Sequence, residues 1–175
     1  MNSYLVRQGV LSEVVRCGSA LEEPLQWGDE VVVRTPQGLK VGRVLEAIRP
    51  RTDRASNTTE PEPAAEHGQI LRRMTDQDRA QQSQCTARAD ADYQAWLDRI
   101  RDWKLNLELI DLEWPLEGEQ PILYVLTSRG PDATKLTLQA AAAGLPAIHV
   151  QPVGPQGAIL PEPEKSSGCG SCGCH

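Results

Sequence analysis

The stretch from residue 50 to residue 68 constrains this chain most, because it holds almost nothing that a core could take up. Pro50, Pro61 and Pro63 are interspersed with Ser56, Asn57, Thr58, Thr59 and several acids. Such a composition cannot bury enough apolar surface to offset the entropy of ordering, so it reads as a linker or mobile loop with His67 solvated inside it. What folds must then lie on either side. Residues 4–49 are expected to form a β-rich lobe, residues 69–154 an α/β lobe, and residues 155–175 a flexible tail. The supply of core residues is modest: 39% of 175 residues are apolar, Phe is absent and there are four Trp.

In the first block, residues 4–7 and 10–17 are short β-branched runs separated by Gly9, which offers a bulge or tight bend. Trp27-Gly28-Asp29 reads as a turn launching a strand over 30–34, where Val31, Val32 and Val33 form a continuous apolar run. Thr35-Pro36-Gln37-Gly38 has the residues of a β-turn, with Pro fixing φ and Gly free to adopt a left-handed value. The strand that follows, 39–48, is expected to bury Val41, Val44 and Ile48, with Gly42 breaking the rhythm. Four short strands within 48 residues predict a small antiparallel curled sheet or half-barrel.

The second block changes period. Thr75 with Asp78 fits a capping box, and Asp76 suits the positive end of a helix dipole. Cys85, Ala89, Asp92, Trp96, Ile100 and Trp103 step by threes and fours onto one face, with Cys85 read as a small core residue. The first half of this helix, 76–84, is almost wholly polar and is expected to be solvated. Residues 105–114 alternate as Leu105, Leu107, Leu109 and then Ile110, Leu112, which predicts a strand with a bulge or a change of face. A turn at 115–120 leads to a central buried strand over 121–127. Asp132 is expected to cap a second helix through Ala143, ended by Gly144 and Pro146, before a last strand over 147–153. The fold class is therefore α+β: the curled N-terminal sheet, then a split α/β sandwich with two helices on one face.

Enzyme signatures are absent from this order. There is no phosphate-cradling loop ending in Lys-Ser/Thr, no nucleophile elbow and no His pair on a helix. Asp111 and Glu113 share a strand face, and solvation at a sheet edge accounts for them. His149 reads as a satisfied sheet residue. No apolar run approaches the roughly 20 residues of a membrane span, and no export signal is visible, so a cytoplasmic protein with reduced thiols is expected.

Chemistry concentrates in the last seven residues, Cys169-Gly170-Ser171-Cys172-Gly173-Cys174-His175. Thiolates and imidazole suit zinc or the iron of an iron–sulfur cluster, and Cys169, Cys172, Cys174 and His175 are the candidate ligands. An iron–sulfur cluster would need a fourth ligand from Cys17, Cys85 or a partner chain. A plain redox pair of Cys169 with Cys172 is a further reading. The net charge of −6 argues against a protein that grips nucleic acid over its whole surface. Charge is uneven, however, and Arg43, Arg49, Arg51 and Arg54 cluster where the first block ends. Arg49, Arg51 and Arg54, with Arg72 and Arg73, are the candidate RNA contacts.

Two blocks carry a resemblance. Trp27-Gly28-Asp29-Glu30-Val31-Val32-Val33-Arg34-Thr35, followed by Gly38-Leu39-Lys40-Val41-Gly42-Arg43-Val44, resembles the signature of the PSP C-terminal-domain family, whose bacterial members are the YaaT-like proteins. Ile70-Leu71-Arg72-Arg73-Met74-Thr75-Asp76-Gln77-Asp78 resembles that family's basic, Thr-capped approach to its long helix. Leu107-Glu108-Leu109-Ile110-Asp111-Leu112-Glu113 and Leu123-Tyr124-Val125-Leu126-Thr127 resemble its following strands. The resemblance covers about residues 4–154. It implies a cytoplasmic, non-enzymatic adaptor subunit in complexes that influence RNA processing, associated in relatives with iron–sulfur clusters and, in trypanosomatids, with RNA binding. The chain departs from the family in two places. Its tail has no adjacent cysteines, and the loop His149-Val150-Gln151-Pro152-Val153-Gly154-Pro155-Gln156-Gly157 lacks the family's arginines. Alternatives to the adaptor are a metal- or redox-sensing module acting through the tail and a direct RNA-binding module.

Overall fold

The structure is a computed structural model that describes residues 2–48, 68–127, 131–155 and 157–159. The expected linker, apart from Gly68, and the cysteine tail lie outside the described residues.

Five strands close a barrel: β1 (Asn2–Gln8), β2 (Glu13–Ser19), β3 (Glu30–Thr35), β4 (Gly38–Ile48) and β5 (Gly68–Arg73), in the order β1-β2-β5-β3-β4. β4 returns to pair antiparallel with β1, and the pairing of β2 with β5 is parallel. Closure depends on β5, which the sequence places in the second lobe. Ile70 and Leu71 alone are too few to mark a strand locally. The unpaired edges of β2 and β3 make it one, and it removes both edges at once.

A five-stranded bore is narrow, and its contents show it. Val6, Val31, Val33 and Val44 meet inside with Tyr4, Cys17, Leu25 and Ile70. A Cβ at Gly42 would lie 2.4 Å from Val6 Cγ1, and one at Gly68 would lie 2.8 Å from Val33 Cγ1. Gly42 is thus the inward residue of β4, not an interruption of it. Lys40, Gly42 and Val44 are its buried set, and Val41 and Ile48, expected inside, are only half-buried.

Helix α1 (Asp76–Asp102) begins where the sequence predicts. Thr75 Oγ1 accepts from the Asp78 N–H at 3.3 Å, and the Asp78 carboxylate accepts from the Thr75 N–H at 2.9 Å. Met74 N–H donates to Glu30 O at 2.8 Å and ties this start to the barrel. At about 1.5 Å per residue the helix runs roughly 40 Å. Its polar first turns are exposed apart from Asp78, while Ala89, Trp96 and Ile100 are buried.

β6 (Leu107–Glu113), β7 (Ile122–Thr127), β8 (His149–Gly154) and β9 (Gly157–Ala158) form a second sheet in that order. β7 and β8 are parallel, joined through helix α2 (Asp132–Ala142). In β6 the pairing steps from Leu109 to Asp111 and skips Ile110. This bulge lets Leu109 and Leu112, three apart, both join the helix-side core, while Asp111 and Glu113 turn to the opposite face. β7 is buried on both faces. Leu123 and Val125 meet Trp96, Ile100, Leu136 and Ala140, whereas Ile122 and Tyr124 pack with Val153 and with Leu11 from the β1–β2 turn. The order of layers is helices, sheet, barrel.

Asp132 is not a cap. It is the first helical residue, after Pro131, and its carboxylate pairs with Lys135 Nζ at 2.8 Å. Gly144 does end α2 as expected, at φ +71°, with Leu145 N–H donating to Ala140 O at 3.0 Å. Among the described residues no helix is long and apolar enough to cross a membrane.

Candidate functional site

The most unusual chemistry lies where barrel and sheet meet. The inward parity of β4 sends Lys40 out of the end of the bore toward the sheet, and the β6 bulge turns Glu113 toward it. Lys40 Nζ lies 3.1 Å from Glu113 Oε2, and the two side chains are 2% and 13% exposed. Lys40 Nζ also donates to Tyr124 Oη at 2.9 Å, and Tyr124 Oη donates to Glu113 Oε2 at 2.5 Å. Burial, then the Glu113 charge and hydrogen bond, push the Tyr124 phenol far above its ordinary range, so it stays protonated. Glu113 is therefore not the solvated edge residue expected from sequence. Period-two counting cannot foresee that the bulge carries it into the joint.

Gly9 serves this cluster. Its φ of +66° carries the β1–β2 turn so close that a Cβ would lie 3.4 Å from Glu113 Oε2 and 3.7 Å from Lys40 Nζ. Further bonds cross between the lobes. Leu116 N–H donates to Leu39 O at 2.8 Å, Gln37 Nε2 to Gln151 Oε1 at 2.9 Å, and Ala158 N–H to Glu13 Oε1 at 3.0 Å. His149 Nε2 lies 3.3 Å from Gln37 Nε2, a satisfied sheet histidine as expected.

Beside the joint is a cleft of about 300 Å³, walled by the β1–β2 turn, β4, α1 and β6. Val10, Lys40, Cys85, Asp90, Asp111 and Glu113 line it. Cys85 packs at the edge of the helix-side core, its thiol directed at Pro115 O at 3.5 Å and pushed up in pKa by burial. Trp114 closes one side. Its Nε1–H donates to Asp92 at 3.0 Å, and the Arg88 guanidinium stacks 3.3 Å from its ring centre.

Elsewhere on the barrel, Trp27 stands 81% exposed on a tightly bonded turn. Gln26 N–H donates to Asp29 Oδ2 at 2.7 Å, Gly28 N–H to Val44 O at 2.9 Å, and Val44 N–H to Asp29 O at 2.9 Å. Gly28 sits at φ +88°, where a side chain would be strained. Around this turn, opposite charges are paired. Arg73 holds Asp29 at 2.5 Å and Pro24 O at 3.2 Å. Arg79 joins Glu30 and Asp76, both at 2.8 Å, and Arg43 reaches Glu30 at 3.3 Å. Arg72 grips Asp78 with both terminal guanidinium nitrogens, Nη1 and Nη2. Its hydrogen bonds, with those of Thr75, hold the Asp78 carboxyl well below the usual range, and Arg79 lowers Glu30 in the same sense.

Of the candidate RNA contacts, Arg72 and Arg73 therefore share one edge, each holding a carboxylate, while Arg49, Arg51 and Arg54 lie outside the described residues. So do Cys169, Cys172, Cys174 and His175. Among the described residues no three His, Cys, Asp or Glu side chains converge on a point that could hold a metal ion. Lys40, Tyr124 and Trp27 were not singled out from sequence. For Lys40 the signal was present, since it shares parity with Gly42 and Val44. Comparison of the chain with protein-family models, with curated proteins and with solved structures finds no match.

Proposed function

We propose that this chain is a non-enzymatic adaptor or regulatory subunit, working in the cytoplasm within a protein complex linked to RNA metabolism or gene regulation. The observation that carries the reading is Trp27, a full indole in solvent on a turn whose backbone is already bonded. Aromatic groups on pre-ordered backbone are the commonest anchors of protein interfaces, because a partner gains their area at little ordering cost. The paired charges around the turn suit the polar rim of such a contact. Arg72 and Arg73, held by Asp78 and Asp29, favour a protein partner over RNA. Lys40, Glu113 and Tyr124 satisfy one another, which fits a role in joining the lobes.

On this reading Cys169, Cys172, Cys174 and His175 carry zinc or an iron–sulfur centre, completed by a partner where four ligands are needed. Native mass spectrometry of the tagged chain, isolated from its own cells, tests the adaptor. Defined stoichiometric assemblies are expected, and they should vanish for Trp27→Ala while the helical circular dichroism is kept. A chain that runs alone at its native concentration overturns the reading. Removing residues 165–175 separates the alternatives: an adaptor keeps its protein partners, whereas a sensor acting through the tail loses its function. Metal analysis and an absorption spectrum after anaerobic purification, repeated for Cys172→Ser, test the centre itself.

A further inference from the structure

We propose that the surface at Trp27 takes a basic segment of a partner protein, with an arginine side chain laid over the indole. The inference rests on the adaptor reading above and names the chemistry of its partner. Elsewhere the fold lays arginine on tryptophan. The Arg88 guanidinium lies 3.3 Å from the Trp114 ring centre, and that of Arg99 lies 5.0 Å from the Trp96 ring centre. Trp27 is 81% exposed, and among the described residues no cation lies over it. An indole face is electron-rich, and a guanidinium stacks flat on it while losing little hydration. The arginines around the turn are already engaged. Arg43 and Arg79 hold Glu30, and Arg73 holds Asp29.

Charge on the same loop makes the demand independently. Residues 20–29, which connect β2 to β3, are tied down along their length. Leu21 N–H donates to Ser19 Oγ at 3.3 Å, and Leu25 N–H donates to Tyr4 Oη at 3.2 Å. One guanidinium, that of Arg73, reaches both Pro24 O at 3.2 Å and Asp29 Oδ2 at 2.5 Å. It draws Pro24 and Asp29 together, which sets Glu23 beside the base of the Trp27 turn. Glu22 and Glu23 are exposed and make no hydrogen bond or ion pair among the described residues. Asp29 and Glu30 are matched by arginine, so the charge left unpaired on this loop is negative. The chain's net charge of −6 adds long-range attraction for a basic partner. Phosphate would meet the two free carboxylates, so the same charges turn nucleic acid away.

The test titrates the isotope-labelled full chain with an acetylated, amidated peptide of alternating arginine and glycine, followed by the Trp27 indole N–H resonance in NMR. A saturable shift of that resonance is expected, with those of Trp96 and Trp114 unmoved. The same peptide with citrulline for arginine keeps the shape, loses the charge and should not saturate. Calorimetry then compares variants. Trp27→Ala should abolish binding while helical circular dichroism is kept. Glu22→Gln with Glu23→Gln should weaken binding at least about fivefold. Glu108→Gln with Glu119→Gln makes the same charge change at exposed positions of the sheet lobe and should leave binding unchanged. Four results overturn the proposal: an arginine peptide that does not saturate, equal binding by the citrulline peptide, equal effects of the two double variants, or an oligouridylate that saturates the same indole. In assemblies isolated from cells, persistence in Glu22→Gln with Glu23→Gln beside loss in Trp27→Ala keeps the adaptor and overturns only this partner chemistry.

Discussion

The barrel fills its bore with valines and closes on two glycines, whereas the sheet lobe packs tryptophan, leucine and isoleucine between helices and strands. The barrel is limited by space. Its five strands bring opposite walls so near that Gly42 and Gly68 cannot carry even a methyl group without displacing a valine. The sheet lobe is limited by coverage, because its strands need α1 and α2 on one side and the barrel on the other. In each region, however, the residue that joins it to the other departs from the local rule. A lysine ends the inward row of β4, and a bulge in β6 turns a glutamate to face it. The two cores differ in side-chain size, but their junction is polar and nearly dry.

That junction gives the largest expected effect. Glu113→Ala leaves the Lys40 ammonium, 2% exposed, without its counter-charge. Breaking one side of a buried pair costs about 3–5 kcal/mol, and urea unfolding should read a loss in that range. Lys40→Met should cost less, because Glu113 is 13% exposed and keeps the Tyr124 hydrogen bond. Lys40→Met combined with Glu113→Leu should recover most of the loss. If the two single losses are equal and simply add, the pair does not couple the lobes, and the contrast drawn above fails at its centre.

The sequence carried the local signals well and the non-local ones poorly. Thr75 with Asp78, the Pro36-Gln37 turn and Gly144 act within a few residues, and each stands where its chemistry says. Asp132 is a near miss of the same kind, since a carboxylate beside a helix start can cap it or pair with Lys135 inside it. β5 escaped because its reason to be a strand lies in β2 and β3, about 50 and 40 residues earlier in the chain. The candidate site was the least legible part. Lys40 reads as an ordinary surface lysine until Gly42 is recognised as inward-facing, and Glu113 reads as solvated until Ile110 is known to bulge. The cysteine tail, the loudest feature of the sequence, lies outside the described residues.

The space limit of the barrel predicts an effect of middle size. Gly42→Ala places a Cβ 2.4 Å from Val6 Cγ1, an overpacking expected to cost about 1–3 kcal/mol. Adding Val6→Ala should return part of that loss, so the double variant is more stable than the sum of the two single effects allows. Gly144→Ala is the control in the sheet lobe. Nothing lies within 4 Å of its Cβ position, and its φ is +71°. Its cost comes from backbone strain of about 1–2 kcal/mol, which no neighbouring truncation can relieve. Rescue at Gly144, or none at Gly42, would erase the distinction between a lobe short of space and one that is not.

The smallest effect concerns the start of α1, which belongs to both regions, being bonded to the barrel at Glu30 and packed on the sheet from Ala89 onward. Thr75→Ala removes the cap and should cost about 1 kcal/mol. The pH dependence is the sharper test. Arg72 and Thr75 hold the folded Asp78 carboxyl well below the 3.8 of an ordinary aspartate. As pH falls below that ordinary value the unfolded chain takes up a proton that the folded chain refuses, so the stabilisation, full above it, drains away toward the lowered folded value. Wild type should therefore exceed Asp78→Asn in stability at pH 6 by a margin that shrinks steadily in acid. If barrel and sheet unfold together, amide hydrogen exchange in the barrel strand β3 and helical circular dichroism will report the same shrinking margin. If the margin shows in only one of the two signals, α1 serves a single lobe, and the link it makes at Glu30 does not couple them.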